Sequence, residues 1–255
     1  MFTIGLLKEP AFESRVSLVP ETVAALIKKG VKVVVESGAG LRAFSSDEQY
    51  ANAGAEITSR PQVIQAAAVL LSIHPPSDAE LGGCSGKVLI GVYQPLFNRD
   101  LMESWAQKGI ASFSLDMLPR TTRAQSMDVL SSQANIAGYK AVLLAATEYG
   151  RYFPMFMTAA GSIAPAKVLI LGAGVAGLQA IATAKRLGAV VEVFDTRPAV
   201  KEEVMSLGGK FIEVEGAADA SQAGGYAVEQ SEDFKQRQRA RIAGSAIKSD
   251  IIITT

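Results

Sequence analysis

The stretch KVLILGAGVAGLQAIATAKRLGAVVEVFD, Lys167 to Asp195, decides the fold of the second half of the chain. An apolar run, Val168 to Leu171, leads straight into Gly172-Ala-Gly174-Val175-Ala-Gly177. A helical pattern from Leu178 to Leu187 follows, Gly188 stops it, and a second apolar run, Val190 to Phe194, ends on Asp195. Gly-x-Gly-x-x-Gly alone is a weak signal, because glycine is common. A strand before it, a helix after it and an acid at the end of the next strand make it specific. Each glycine has its own physical task. Gly172 permits the tight turn, Gly174 lets a pyrophosphate approach the backbone, and Gly177 lets helix and strand pack closely. The helix start offers unpaired N–H groups and a positive dipole end. Asp195, 18 residues beyond Gly177, can accept hydrogen bonds from an adenosine ribose. Its charge opposes a 2′-phosphate, which favours NAD over NADP. Arg197, two residues on, could serve such a phosphate, so the sequence leaves both open.

Outward from this unit, the strand–helix alternation continues. VKEEVMSLGGKFIEV (200–214) and SEDFKQRQRARIAGSAIKSDIIITT (231–255) extend it, and EGAADASQAGGYAVEQ (215–230) between them has no hydrophobic period. That insert reads as a mobile loop or a frayed insertion. SDIIITT reads as a fourth strand, and a six-stranded doubly wound sheet needs more. The nucleotide domain is therefore expected to be truncated at its C-terminus.

Upstream, FTIGLL, VKVVVES, AAVLLSI, KVLIGVY and IASFSL are strand candidates. PETVAALIKKG and RDLMESWAQKG read as helices, the first with Pro20 near its start and Gly30 at its stop. Strands alternating with helices predict a parallel sheet covered on both faces. ANIAGYKAVLLAATEYGRYF (134–153) predicts a long helix, and PMFMTAAGSIAPA (154–166) a loop. The expected architecture is α/β: two Rossmann-like doubly wound domains with a cleft between them. Residues 1–125 form the first, 126–153 an interdomain loop and connecting helix, and 154–255 the incomplete dinucleotide domain.

Composition narrows the function. Of 255 residues 49% are hydrophobic, and 25 Lys+Arg balance 25 Asp+Glu, so no basic excess points to nucleic acid. One cysteine, Cys84, and one histidine, His74, give no metal-ligand spacing, and Cys84 reads as an incidental thiol. No apolar run reaches membrane-spanning length, so direct membrane insertion of this chain is not expected.

The polar groups concentrate in RTTRAQSMDVLSSQAN, Arg120 to Asn135. On a regular helix Gln125, Asp128 and Ser132 share a face and Ser131 does not, so a ligand contact by Ser131 would require a break in the helix. In the first unit Arg15 could bind a carboxylate or steer a loop, ahead of the strand-like run in SRVSLVP. His74, in SIHPP, invites a proton-transfer role. For both, an ordinary structural role is the competing reading.

Together RAQSMDVLSSQANIAGYKA, FPMFMTAAGSIAPAKVLILGAGVAGLQAIATAKRLGAVVEVFDTRP, KEPAFESRVSLVPETVAALIKKG and VVVESGAG resemble the alpha subunit of proton-translocating NAD(P) transhydrogenases, namely its soluble NAD(H)-binding domain. The resemblance covers essentially the whole chain. It implies hydride transfer from NADH to NADP held by a partner NADP(H)-binding domain. It also implies a membrane domain coupling that transfer to proton movement, a homodimer, and a place on the cytoplasmic side of the inner membrane. Arg120, Gln125, Asp128 and Ser131 are then the residues near the nicotinamide, and Tyr226 lies on a loop closing over the nucleotide. Asp195 holds the ribose. Val175, Thr196 and Arg197 count with the glycines as cofactor-binding.

The related alanine dehydrogenases share the two-domain plan. They use a lysine after the third strand and a histidine after the fourth. The corresponding places here read LLSIHPP, with Ser72 at the lysine, and LIGVYQP, with Tyr93 and Gln94. Without those groups 2-oxo-acid chemistry has no obvious acid or base. An alanine dehydrogenase-like enzyme and a non-catalytic NAD-binding fragment are the alternatives.

Overall fold

The computed structural model describes residues 2–77, 79–119, 121–214 and 231–255. It separates into two compact units, Met1–Val129 and Leu130–Thr255.

The first unit is built on a six-stranded sheet with the order β3-β2-β1-β4-β5-β6. Its strands are β1 (Thr3–Leu6), β2 (Lys32–Glu36), β3 (Glu56–Thr58), β4 (Val69–Leu71), β5 (Val88–Gly91) and β6 (Ala111–Ser114). All neighbours run parallel. The helices are α1 (Pro20–Lys28), α2 (Asp47–Asn52), α3 (Arg60–Ala66) and α4 (Arg99–Gln107). Side chains alternate across a strand, and β2 shows the result. Val33 and Val35 join Leu6, Val23 and Tyr50 on one face. Val34 joins Leu7, Leu70, Leu89 and Trp105 on the other. Burial on both faces is why these strands read as unbroken apolar runs. The Tyr50 hydroxyl donates to the Leu18 carbonyl at 2.6 Å, so a buried ring keeps its polar end satisfied. The Trp105 ring meets Tyr93 edge-on, with centroids 5.0 Å apart.

Three short elements, α2, β3 and α3, lie between the predicted β2 and β4. Their helices carry a legible signal. Ser46 and Gln49 bond reciprocally through side chain and backbone at the start of α2. At α3 the Gln62 side chain accepts from the Ser59 N–H at 3.3 Å. Ser-x-x-Gln is the capping-box spacing. The strand-like run after Arg15 forms no strand.

In the second unit β9 (Lys167–Leu171), β10 (Val190–Phe194), β11 (Lys210–Phe211) and β12 (Ile251–Thr254) form a parallel sheet in the order β11-β10-β9-β12. Around it lie α5 (Val129–Glu148), α6 (Val175–Arg186), α7 (Lys201–Ser206) and α8 (Glu232–Ala246). The core joins Val142 of α5 to Val168 and Ile170 of β9, Ala180, Ile181 and Ala184 of α6, Val191 and Val193 of β10, and Ile253 of β12.

Two expectations are corrected. The long helix runs from Val129 to Glu148 and not from Ala134 to Phe153. It ends because the chain doubles back: Phe153 packs against Tyr149, and its carbonyl accepts from Ala166 at 2.9 Å. The predicted loop at 154–166 contains an antiparallel hairpin, β7 (Phe156–Thr158) and β8 (Gly161–Ile163). Gly161, at φ +135°, supplies the turn conformation that other residues resist. Among the described residues no helix is long and apolar enough to cross a membrane.

Candidate dinucleotide-binding site

The turn from β9 into α6 shows the three glycines doing different work. Gly172 has φ +104°, and a Cβ there would lie 2.4 Å from Thr255 Oγ1. A Cβ on Gly177 would lie 2.0 Å from the Gly172 carbonyl oxygen, so α6 can sit this close to the turn only without a side chain. Gly174 differs. Its backbone is extended, and a Cβ would meet nothing within 4 Å. Protein packing explains Gly172 and Gly177; the space beside Gly174 is open for a ligand. The first bond of α6 runs from the Leu178 N–H to the Gly174 carbonyl at 2.8 Å. The N–H groups of Val175, Ala176 and Gly177 precede it and have no partner within the helix. Val175 is exposed at this mouth.

Asp195 follows β10 directly. Its Oδ2 accepts from the Ala173 N–H at 2.7 Å, which ties it to the glycine turn. The rest of the carboxylate is taken by Arg197. The Arg197 N–H (2.8 Å) and Nε (2.9 Å) donate to Oδ1, and Nη2 donates to Oδ2 at 2.8 Å. Burial works to raise this carboxyl, but the Arg197 guanidinium and the two backbone N–H groups outweigh it and hold it below its usual range. Asp195 therefore stays charged. Beside it opens a cavity of about 220 Å³. Thr196 and Pro198 stand at its polar side, and Phe194, Phe211, Ile212 and Phe234 supply an apolar lining. A flat apolar base beside a carboxylate is what an adenosine needs.

The other expected residues fall differently. Arg120 and Tyr226 lie outside the described residues. Thr122–Met127 is a 3₁₀ turn, and Asp128 is non-helical at φ −75° and ψ 87°. The polar stretch is thus broken just before α5, the condition that a contact by Ser131 required. Gln125 is exposed and Asp128 half-buried in the first unit; Ser131 is half-buried in the first turns of α5, in the second.

One positioning contact went unseen in the sequence. A Cβ on Gly138 of α5 would lie 2.0 Å from the Ala176 carbonyl oxygen, in the first turn of α6. One turn earlier, Asn135 donates to Gln179 at 3.1 Å. The signal was a glycine inside a helical pattern, which usually marks a close packing contact.

In the first unit the polar groups consume one another. Arg15 donates to Glu13 through its N–H and Nε, both at 2.9 Å, and through Nη2 at 2.6 Å. His74 Nε2 lies 3.0 Å from the same carboxylate. Glu13 thus occupies the guanidinium that could have met a substrate carboxylate, and His74 is its partner. Glu9 accepts from the N–H groups of Ile73 and His74, at 2.6 and 3.1 Å. These bonds span the ends of β1 and β4, where a doubly wound sheet normally admits a ligand. Ser72 and Tyr93, at the places of the alanine dehydrogenase lysine and histidine, are buried with their hydroxyls 3.3 Å apart.

A parallel sheet with Gly-x-Gly-x-x-Gly between its first strand and helix, and a carboxylate after the next strand, defines the dinucleotide-binding α/β class. The families described as alanine dehydrogenase/PNT, N-terminal domain and C-terminal domain match residues 5–137 and 141–255. The chain belongs to the alanine dehydrogenase/PNT family. It is 47% identical over 252 residues to an NAD(P) transhydrogenase alpha subunit of Rhodospirillum rubrum, covering 95% of this chain and 66% of that one. The crystal structure of transhydrogenase from Sinorhizobium meliloti matches with a TM-score of 0.86 at 44% identity, over 99% of this chain and 69% of that chain. An L-alanine dehydrogenase matches with a TM-score of 0.70 at 27% identity, over 82% and 60%. The chain thus spans just under two thirds of the Rhodospirillum subunit's length.

Proposed function

We propose that this chain is the NAD(H)-binding component of an NAD(P) transhydrogenase. The observation that carries the reading is the contrast within the glycine turn: protein closes on Gly172 and Gly177, and open space faces Gly174. The donor set fits a dinucleotide. The α6 N–H groups and dipole suit a pyrophosphate, Asp195 and Thr196 suit a ribose, and the apolar cavity suits an adenine.

When bound, the nicotinamide supplies the hydride, which passes to an NADP held by a partner domain. Hydride transfer between two nicotinamides needs close, oriented rings and little water. In this reading Arg120, Gln125, Asp128 and Ser131 hold the carboxamide and ribose, and Tyr226 helps close the site. The further parts of the enzyme are an NADP(H)-binding domain and a membrane domain that moves protons. The chain works as a homodimer at the cytoplasmic side of the inner membrane.

Two measurements test this. Fluorescence titration should show NADH binding more tightly than NADPH. Mixed with the NADP-binding partner, the protein should pass hydride from NADH to an NADP analogue, and the Gln125→Ala and Arg120→Ala variants should do so far more slowly at unchanged stability. Alanine- or pyruvate-dependent NADH turnover without a partner would instead support an amino-acid dehydrogenase. The Ser72–Tyr93 pair and the Glu13-bound Arg15 argue against it.

A further inference from the structure

Asp195 carries four hydrogen bonds, two on each carboxylate oxygen. A carboxylate offers about four lone-pair sites, so a ribose arriving at Asp195 meets an acceptor already filled. The four donors are not equivalent. The N–H groups of Ala173 and Arg197 belong to the backbone and cannot leave without unmaking the turn. The guanidinium can leave. It sits on a flexible stem, and the Arg197 side chain is 26% exposed against 6% for Asp195. The cavity of about 220 Å³ beside the pair leaves room for the incoming group.

We propose that Arg197 sets nucleotide specificity by occupying the ribose-acceptor site: the adenosine ribose of NAD(H) enters by exchange, its hydroxyls replacing the guanidinium on Asp195. This rests on the reading of Asp195 as the ribose acceptor. The exchange has two effects of opposite sign. NADH must break an ion pair before it binds, which weakens its binding. The released guanidinium stays beside the ribose 2′ position, where it is a partner for a 2′-phosphate. Arg197 therefore narrows the preference for NADH over NADPH that the Asp195 charge creates.

The test is titration of the full-length protein with NADH and with NADPH. Arg197→Ala should tighten NADH by roughly two- to fivefold, the range set by loss of one partly exposed ion pair. It should weaken NADPH, because the cation is gone. The NADH gain should shrink as salt rises from low to about 0.5 M, since salt loosens the competing pair in the unmodified protein. Arg197→Lys keeps the charge without the two-pronged donor and should fall between, with melting curves checking that both variants fold. An NADH affinity that is unchanged or lowered in Arg197→Ala overturns the proposal. Asp195→Ala separates the two ideas. If it weakens NADH strongly while Arg197→Ala also weakens it, the ribose reading stands and the exchange falls. If it leaves NADH binding unchanged, both fall.

Discussion

Gly138 rests directly on the carbonyl of Ala176: a methyl group there would lie 2.0 Å from the oxygen and 2.8 Å from its carbon. The obstruction is backbone, so neither side can yield by turning a rotamer. Gly138→Ala should push α5 off α6 and cost about 1–3 kcal/mol, the usual range for overpacking. Gly244→Ala is the control. It lies on α8 with nothing within 4 Å of the added carbon, so it should gain about 0.5–1 kcal/mol from helix propensity. Denaturant melts of both variants check the pair; equal effects would remove the contact's special status.

The three glycines of the turn should separate by experiment. Gly172→Ala and Gly177→Ala meet Thr255 and the Gly172 carbonyl, so both should lower the melting temperature. Gly174→Ala meets no protein atom and should leave stability within about 0.5 kcal/mol, as surface substitutions do. Yet it should weaken NADH binding at least ~10-fold, because the methyl occupies the space left for the ligand. Calorimetric titration beside a thermal melt reads both quantities. Retained affinity in Gly174→Ala would sink the assignment of that space.

Glu13 and Arg15 reproduce the geometry of Asp195 and Arg197: an acid, one intervening residue, and an arginine closing on it through N–H, Nε and Nη2. For Glu13 the Arg15 side chain is the main cause of a carboxyl held far below its usual range, against burial and with help from the Arg15 N–H and His74. Both acids have depressed pKa values in the fold, so both contribute stability above their unfolded values of about 4. That stability is lost as pH falls, beginning near pH 5. Glu9 acts in the opposite sense, since burial raises it over the pull of the Ile73 and His74 N–H groups. Glu13→Gln should flatten the acid limb of a stability–pH curve. An unchanged slope would mean that the clamp contributes nothing.

Removing the hydroxyl of Ser72 leaves Tyr93 as a buried phenol without that partner, which should cost about 1–3 kcal/mol. Ser72→Ala with Tyr93→Phe should cost less than the sum of the two single changes. A double-mutant cycle by chemical denaturation checks this; strict additivity would show the 3.3 Å approach to be a contact without energy.

What the sequence disclosed follows from what was periodic. Both sheets are buried on two faces, so their strands announced themselves as apolar runs, and Gly30, Gly188 and Pro20 marked helix ends. The hairpin at Phe156–Ile163 stayed hidden because its strands are three residues each and exposed along their length. Asp195 was legible as an acid at the end of β10, but its saturation by Arg197 was not. That depends on where a flexible side chain lies, and spacing alone could not choose between an arginine serving a phosphate and one serving its neighbour. The start of α5 was missed because its first turns are polar. Its all-round apolar character later on concealed which face Gly138 would present.

Trp105, sealed under Tyr93, has an optical consequence. It is the chain's single tryptophan, and it is 1% exposed in the core of the first unit. Its emission should be blue-shifted in the native protein and move to the red when that unit opens. Loss of the nucleotide-binding unit alone would change circular dichroism while leaving this colour in place. A single buried indole thus makes the two halves of the chain distinguishable by light, without a label.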